Sequence, residues 1–378
     1  MLKYLLIYII FKFNLCENNL TKLNINTTIY NNNISHFNNI SNINQYRKNL
    51  LVGIISRYSW ETVLPFFKSF IEANFFNCDV VIFVRHVSES LIKNLEMLGV
   101  FVERIPQKYN NISTINIRWK LYADFLKEKR EKYNLVFSAD IRDTIFQEDV
   151  FNYYKNIGPF LGVAIEDGTL NQRHNKKWII SFAGEKIHET IMTERIICVG
   201  SIWGTSQIFF EFSNLFFQKL LEYPNSIEQG IANYLFYHEK FFSDYLVKSD
   251  NYGPVMTIGL TERSNINLDS KGNILNFNGK IAAVIHQYDR KKDIVRIIIK
   301  KFCPQILKPF ISNNDNFVNK DEINIGINKA IENNYTGKIA KSERNIHFFY
   351  WNVELFTILL LIKSWLSQNK LKQLKFKD

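Results

Sequence analysis

The stretch that decides the reading is Tyr133–Phe151, YNLVFSADIRDTIFQEDVF. Leu135–Ala139 is a short apolar run of the kind that forms a buried strand. It delivers Asp140 to the edge of a sheet, and Asp143 follows after Arg142. Two carboxylates on a tight turn can share a hard divalent cation such as Mn²⁺ or Mg²⁺. Arg142 can neutralise Asp140 or contact a phosphate bidentately. The plainer alternative is a solvated turn whose aspartate caps the next segment.

Ahead of this stretch the chain alternates. Leu50–Ser56 is an apolar strand, and Trp60–Ala73 has helical spacing with Pro65 near its first turn, where proline is tolerated. Asp79–Val84 is a second strand. Ser88 caps a helix to Leu98 in which Leu91, Ile92 and Leu95 share a face. Val100–Ile105 is a third strand, and Thr114–Glu131 a helix with Ile117, Leu121 and Phe125 inward. Beyond the central stretch, Leu161–Ile165 reads as a strand ending in Glu166–Asp167–Gly168, which begins a turn. Ile196–Val199 and Ser201–Trp203 read as one strand broken by Gly200. Glu211–Leu221 and Ile227–Tyr237 read as helices, the second capped by Ser226. Val255–Ile258 and Ile281–Ile285 are strands, and the latter ends in His286.

Strand–helix alternation argues for an α/β fold, a mostly parallel Rossmann-type sheet flanked by helices. In such sheets ligands sit beyond the carboxyl ends of the strands. Polar residues gather there: Ser56, Arg57, Arg85, His86, Asp140, Arg142, Asp143, Glu166, Asp167 and His286. A neutral imidazole at His286 can give a nitrogen to the same cation as the two aspartates; taken alone such a residue is more often a surface or core histidine than a ligand. Together the three can hold a metal plus a diphosphate. No G-x-G-x-x-G follows the first strand and no G-x-x-x-x-G-K-[ST] occurs, which argues against dinucleotide dehydrogenases and P-loop kinases. No G-x-S-x-G elbow or H-E-x-x-H helix appears, so hydrolase and zincin readings lack their anchors.

Read together, these residues resemble the nucleotide-diphospho-sugar transferases of the GT-A fold. Their strand-terminal acid motif is similar to Asp140–Ile141–Arg142–Asp143, here a D-x-R-D variant closest to eukaryotic and protist families in which F-Q-x-D follows. Their late metal-binding histidine is similar to His286. The resemblance covers about residues 48–290. It implies a nucleotide-sugar donor, Mn²⁺ or Mg²⁺ held by Asp140, Asp143 and His286, and transfer of a sugar to a hydroxyl of a glycan, protein or lipid. Cys198–Thr205, CVGSIWGT, resembles the small-residue strand and loop near the donor sugar and acceptor, with Gly200 and Gly204 permitting close approach and Trp203 either stacking on sugar or packed in the core. Ser226–Tyr234, SIEQGIANY, resembles the helix lining the acceptor side, with Glu228 either catalytic or a first-turn acid. Glu166 and Asp167 can act as base or orient the acceptor, or form a simple turn. Ser56, Arg57 and Tyr58 stand where the nucleotide is expected, and Arg118 or Lys120 can reach a phosphate. Two alternatives stay open: an inactive GT-A-like binding or structural protein, and a nucleotidyltransferase.

The ends read differently. Residues 1–16 hold a short apolar run after Lys3, the length of a signal-peptide core or short anchor. Residues 17–49 are Asn-rich and read as a flexible stem with sequons at Asn19, Asn26, Asn33 and Asn39. Residues 50–300 form the transferase-like domain. Residues 301–378 form an extension with an apolar helix over residues 348–366 and a basic tail. The expected location is the secretory pathway, in the endoplasmic reticulum or Golgi lumen, with membrane association through the N-terminal segment or residues 348–366. Net charge is +11, but from Lys291 onward Lys and Arg number 16 against 8 acids, so the folded body is nearly balanced. A nucleic-acid partner would need a basic face on that body. The four cysteines are too scattered for a thiolate zinc site or a dense disulfide framework.

Overall fold

Nine residues, KNLLVGIIS, form β1 (Lys48–Ser56), which lies between two parallel neighbours and is buried through its middle. A run apolar on both faces suits that central place. In the computed structural model, which describes residues 47–224 and 226–304, a helix follows at Trp60–Glu72, with Ser59 accepting from the Thr62 amide at its start. The chain then lays down β2 (Cys78–Arg85), a helix Glu89–Met97 capped by Ser88, β3 (Phe101–Arg104) and the helix Thr114–Lys129. Next come β4 (Tyr133–Asp140), the short β5 (Thr144–Phe146) and β6 (Leu161–Thr169). Helices Arg173–Ala183 and Glu185–Ile191 lead to β7 (Arg195–Thr205), which runs straight into the helix Ser206–Glu222. The helix Glu228–Tyr237 precedes β8 (Leu246–Ser249) and β9 (Val255–Thr257). A hairpin of β10 (Asn267–Leu268) and β11 (Ile274–Leu275), then β12 (Val284–His286) and a helix Lys292–Phe302, complete the described part.

The main sheet has ten strands in the order β3-β2-β1-β4-β7-β6-β9-β12-β5, with β8 also paired to β6. Most pairings are parallel; β7 runs against both β4 and β6, and β5 against β12. Because β4, β6, β9 and β12 point the same way, Asp140, Glu166, Thr257 and His286 all come out on one edge.

Three apolar clusters pack this sheet. One sets the helices Thr114–Lys129 and Ser206–Glu222 on one face, where Trp119 meets Phe212 and Phe216 with ring centroids 5.4 and 5.1 Å apart. A second lies on the opposite face, around Phe66, Phe137 and Trp203. The third joins β9 and β12 to the helix Lys292–Phe302, whose Ile294, Val295, Ile298 and Ile299 are buried. Full burial of such a side chain is worth roughly 1.5–3 kcal/mol.

Gly53 marks where β1 meets the acidic turn: a Cβ there would sit 2.4 Å from Ile141 Cδ1. Gly53→Ala is expected to cost about 1–3 kcal/mol by overpacking, read as a lower urea midpoint. An unchanged midpoint would mean that Ile141 can simply move aside.

Several sequence expectations are corrected here. β1 begins at Lys48, inside the segment assigned to the stem. β7 is continuous through Gly200 rather than broken there; its register to β6 shifts around that residue, from Val163–Ile202 to Ala164–Cys198, and again between Ile165 and Thr169. Glu166–Asp167–Gly168 is not a turn, since β6 continues to Thr169. The helix expected from Glu211 starts at Ser206, directly after β7. Ile227, not Ser226, occupies the cap of the next helix, with no side-chain cap bond. The signal or anchor, nearly all of the stem with its four sequons, the helix over residues 348–366 and the basic tail lie outside the described residues. Among the described residues no helix is long and apolar enough to cross a membrane.

Candidate functional site

β4 carries Asp140 to the sheet edge, Ile141 turns down into the core, and Asp143 leads directly into β5. β5 then pairs antiparallel with β12, placing Thr144 opposite His286. That pairing folds the acidic turn over the end of β12. Tyr288 Oη, donating to Arg142 O at 3.3 Å, ties the same two segments again.

The result is one convergent centre. His286 Nε2 lies 3.7 Å from Asp140 Oδ2 and 3.6 Å from Asp143 Oδ1. Each aspartate divides its oxygens. Asp140 Oδ1 accepts from Arg118 at 2.5 Å, and Asp143 Oδ2 from Arg142 at 3.0 Å, which leaves the other oxygen of each facing the imidazole. One ligand atom from each of the three residues lies within 4.8 Å of the others. Such separations suit two metal–ligand distances of about 2.0–2.6 Å meeting at one ion.

The surroundings fit a cation as well. His286 Nε2 is buried and has no hydrogen-bond partner. A Cβ on Gly200 would stand 2.3 Å from His286 Cε1 and 2.8 Å from Asp140 Oδ2, so only glycine leaves the space between these groups open. Burial alone would raise the pKa of Asp140, but Arg118 foremost, then His286, holds it below the usual carboxylate value. Asp143 is likewise depressed against burial by Arg142 and His286. Burial alone would lower the His286 pKa, yet Cys198 and Asp143 raise it well above the ordinary value. A cation bound at Nε2 replaces that proton, as metal ligation by histidine requires.

Behind Asp140 sits a buried ion cluster. Arg118 is 1% exposed and also donates to Glu228 Oε1 at 2.5 Å and Val199 O at 3.1 Å. Glu228 Oε2 accepts from Trp119 Nε1 at 2.8 Å. Burial pushes the Glu228 pKa up to about 7, with Arg118 and Trp119 pulling against it. Arg118 stays protonated because Glu228 and Asp140 outweigh the cost of its burial.

The helix Glu228–Tyr237 also completes β7. Asp140 ends β4 opposite the middle of β7, so Ile197 and Val199 lie beyond it. Gln229 accepts from Val199 N–H and donates to Ile197 O, while Asn233 Oδ1 takes the Ile197 N–H and its amide also donates to Ile197 O. Two side-chain amides thus replace the missing strand partner.

The remaining expected residues divide. Ser56 ends β1 opposite Arg85, Arg57 is exposed at φ 62°, and half-buried Tyr58 lies within electrostatic reach of Arg142. Arg57, His86 and Gln287, each just after a strand on this edge, all take left-handed backbone, which is uncommon outside glycine and concentrates at functional sites. Arg118 does not present a phosphate contact; its guanidinium is taken up by two carboxylates. Lys120 points elsewhere on its helix and pairs with Asp124. Gly204 is placed away from the centre, opposite Val136 near the start of β4, where a Cβ would meet Phe160 O at 2.4 Å. Trp203 is core, stacked on Phe137 at 5.6 Å. Glu228 is not offered to an acceptor, because both its oxygens are engaged and it is buried. Asp167 is held by Arg195, Asn251 and Thr261 at 2.9, 2.5 and 2.7 Å. Glu166 is buried near Gln287 and Cys198.

One residue escaped the sequence reading. Asp289 is 1% exposed and pairs with Arg142 at 3.0 Å; burial and Asp143 push its pKa up to about 6. Its only signal was its position three residues after His286, in HQYDR.

The chain matches no protein-family model and no curated protein. Solved structures similar to it include an active-site mutant of LgtC, at 15% identity, covering 66% of this chain and 94% of that one, with a TM-score of 0.40. A galactosyltransferase LgtC in complex with donor and acceptor sugar analogues is similar at 14% identity, 66% and 95% coverage and a TM-score of 0.39. The glycosyltransferase GlyE of Streptococcus pneumoniae is similar at 12% identity, 75% and 64% coverage and a TM-score of 0.42.

Proposed function

We propose that this protein is a glycosyltransferase that takes a sugar from a nucleotide-diphosphate donor and passes it to a hydroxyl acceptor. The observation that carries the reading is the centre of Asp140, Asp143 and His286. Each aspartate has one oxygen fixed by an arginine and one turned to an unpartnered histidine nitrogen, at the carboxyl edge of an α/β sheet. Asp140, Asp143 and His286 would hold Mn²⁺ or Mg²⁺. Such an ion, when bound, offsets the negative charge that develops on a departing diphosphate.

The chain's own groups prepare that event. Arg118 and Arg142 keep the two aspartates ionised and oriented, so that little reorganisation is needed during reaction. Glu228 and Asp289 in turn hold the two arginines. Tyr58, within electrostatic reach of Arg142, and Arg57 before it would meet the nucleotide. The aspartate oxygens that face His286 cannot take a diphosphate oxygen directly, so donor binding is expected to need a cation between them. We assign the protein to the secretory pathway on its N-terminal segment and sequons. Endoglycosidase-sensitive forms after expression in a eukaryotic cell would agree with that, and a cytosolic, unglycosylated product would refute it.

The activity test is direct. The full chain is incubated with a panel of nucleotide-sugars and Mn²⁺, and free nucleotide is measured. Metal-dependent release from one donor class is the expected result. No release from any donor, together with no binding of nucleotide diphosphate in the presence of Mn²⁺, would sink the proposal.

A further inference from the structure

Behind the three ligand atoms lies a second layer of side chains. His286 turns Nε2 to the two aspartates and Nδ1 to Cys198 Sγ, 3.5 Å away. Cys198 is 2% exposed and stands in β7 two residues before Gly200. The Glu166 carboxylate is buried close by. Gln287 Nε2 closes the layer, 3.4 Å from Glu166 Oε1 and 3.8 Å from Cys198 Sγ.

The backbone is shaped around this layer. Gln287 holds φ 57°, and a Cβ on Gly259 would fall 1.9 Å from Gln287 Oε1, so glycine makes room for the amide. Glu166 and His286 share one cross-strand row through Thr257, which sets their spacing by sheet register.

A histidine that ligates through one nitrogen carries its proton on the other, and the partner of that proton fixes tautomer and ring orientation. Carboxylates and carbonyls usually serve. Here the group facing Nδ1 is a sulfur, which accepts weakly. We propose that Cys198 is a positioning residue for the metal centre: it accepts the Nδ1 proton of His286, keeps the Nε2 lone pair aimed between Asp140 and Asp143, and is itself held by Gln287, whose amide also reaches Glu166. This rests on the metal reading of Asp140, Asp143 and His286. It also gives Glu166 a place behind the cation, through Gln287.

The test titrates the full-length protein with Mn²⁺ and reads the free ion by electron paramagnetic resonance. Cys198→Ala is expected to weaken binding about 10- to 100-fold, the usual effect of losing such a partner. Cys198→Ser should lose less, because a hydroxyl still accepts. Cys303→Ala is the control for simple packing: Cys303 is also buried but sits in the third apolar cluster. It should bind as the unmutated protein does. A second measurement needs no variant. In the Zn²⁺-loaded protein, ¹⁵N spectra should show His286 protonated at Nδ1 and metal-bound at Nε2. Cys198→Ala titrating like Cys303→Ala would overturn the proposal, as would a metal-bound Nδ1. Failure of the unmutated protein to bind Mn²⁺ would remove the metal reading as well, a result distinct from binding that Cys198→Ala leaves intact.

Discussion

Arg118→Met is expected to destabilise the protein by about 3–5 kcal/mol, the range for removing one partner of a buried ion pair. The side chain is almost fully buried, and its loss leaves the Glu228 carboxylate enclosed with only Trp119 to donate to it. Asp140, more exposed, can recover water at its freed oxygen, so the main penalty falls on Glu228. Adding Glu228→Gln to Arg118→Met should therefore return part of the loss, with a coupling of about 0.5–3 kcal/mol. Urea unfolding of the two single variants and the double variant measures both quantities. Strictly additive effects would show that the Arg118–Glu228 contact, though short, contributes no specific interaction.

Asp143→Asn is the second large expected effect, on metal binding and catalysis. It is the cleaner of the two aspartates to change, since Asp140 also serves Arg118 while Arg142 keeps Asp289 as a partner. The substitution preserves shape and removes one charge from the proposed ligand set. Mn²⁺ affinity should fall by at least about a hundredfold, beyond the usual loss from an outer-layer residue. Sugar transfer should fall by about 10²–10³, as when a charge-stabilising group is lost. The fold should stay intact by circular dichroism. A variant that binds Mn²⁺ as well as the parent would take Asp143 out of the ligand set.

The first four strands of the sheet and their helices were legible because each is an apolar run bounded by capping or turn residues. Asp140 was legible as the acid at the end of such a run, and His286 for the same reason. What joins them was not. β5 is three residues long, and a window of three carries no periodicity. Without it, nothing in the sequence says that Asp143 and His286 face each other. The partners of Glu228 were equally hidden: Arg118 reaches it across 110 positions, and no local pattern encodes a pair that distant. Gly200 looked like a strand breaker because glycine usually weakens a strand interior. The need for it is visible only once His286 and Asp140 stand within 3 Å of where its side chain would be. Lys120 and Arg118 differ by two helix positions, which turns one outward and one into the core, and composition alone does not distinguish them.

The pairing of β5 with β12 also has a consequence for assembly in time. The segments it joins, tied again by Tyr288 and Arg142 across 146 positions, close a very long loop. Long-range pairings of this kind pay loop-closure entropy before contacts repay it, so they form late. The sheet from β1 to β4 can build from contacts available early in synthesis. The centre of Asp140, Asp143 and His286 cannot, because His286 leaves the ribosome after nearly all of the described body. A chain halted before β12 would carry the acidic turn but lack the histidine, so on the proposed reading metal capture would mark a chain whose sheet has been completed.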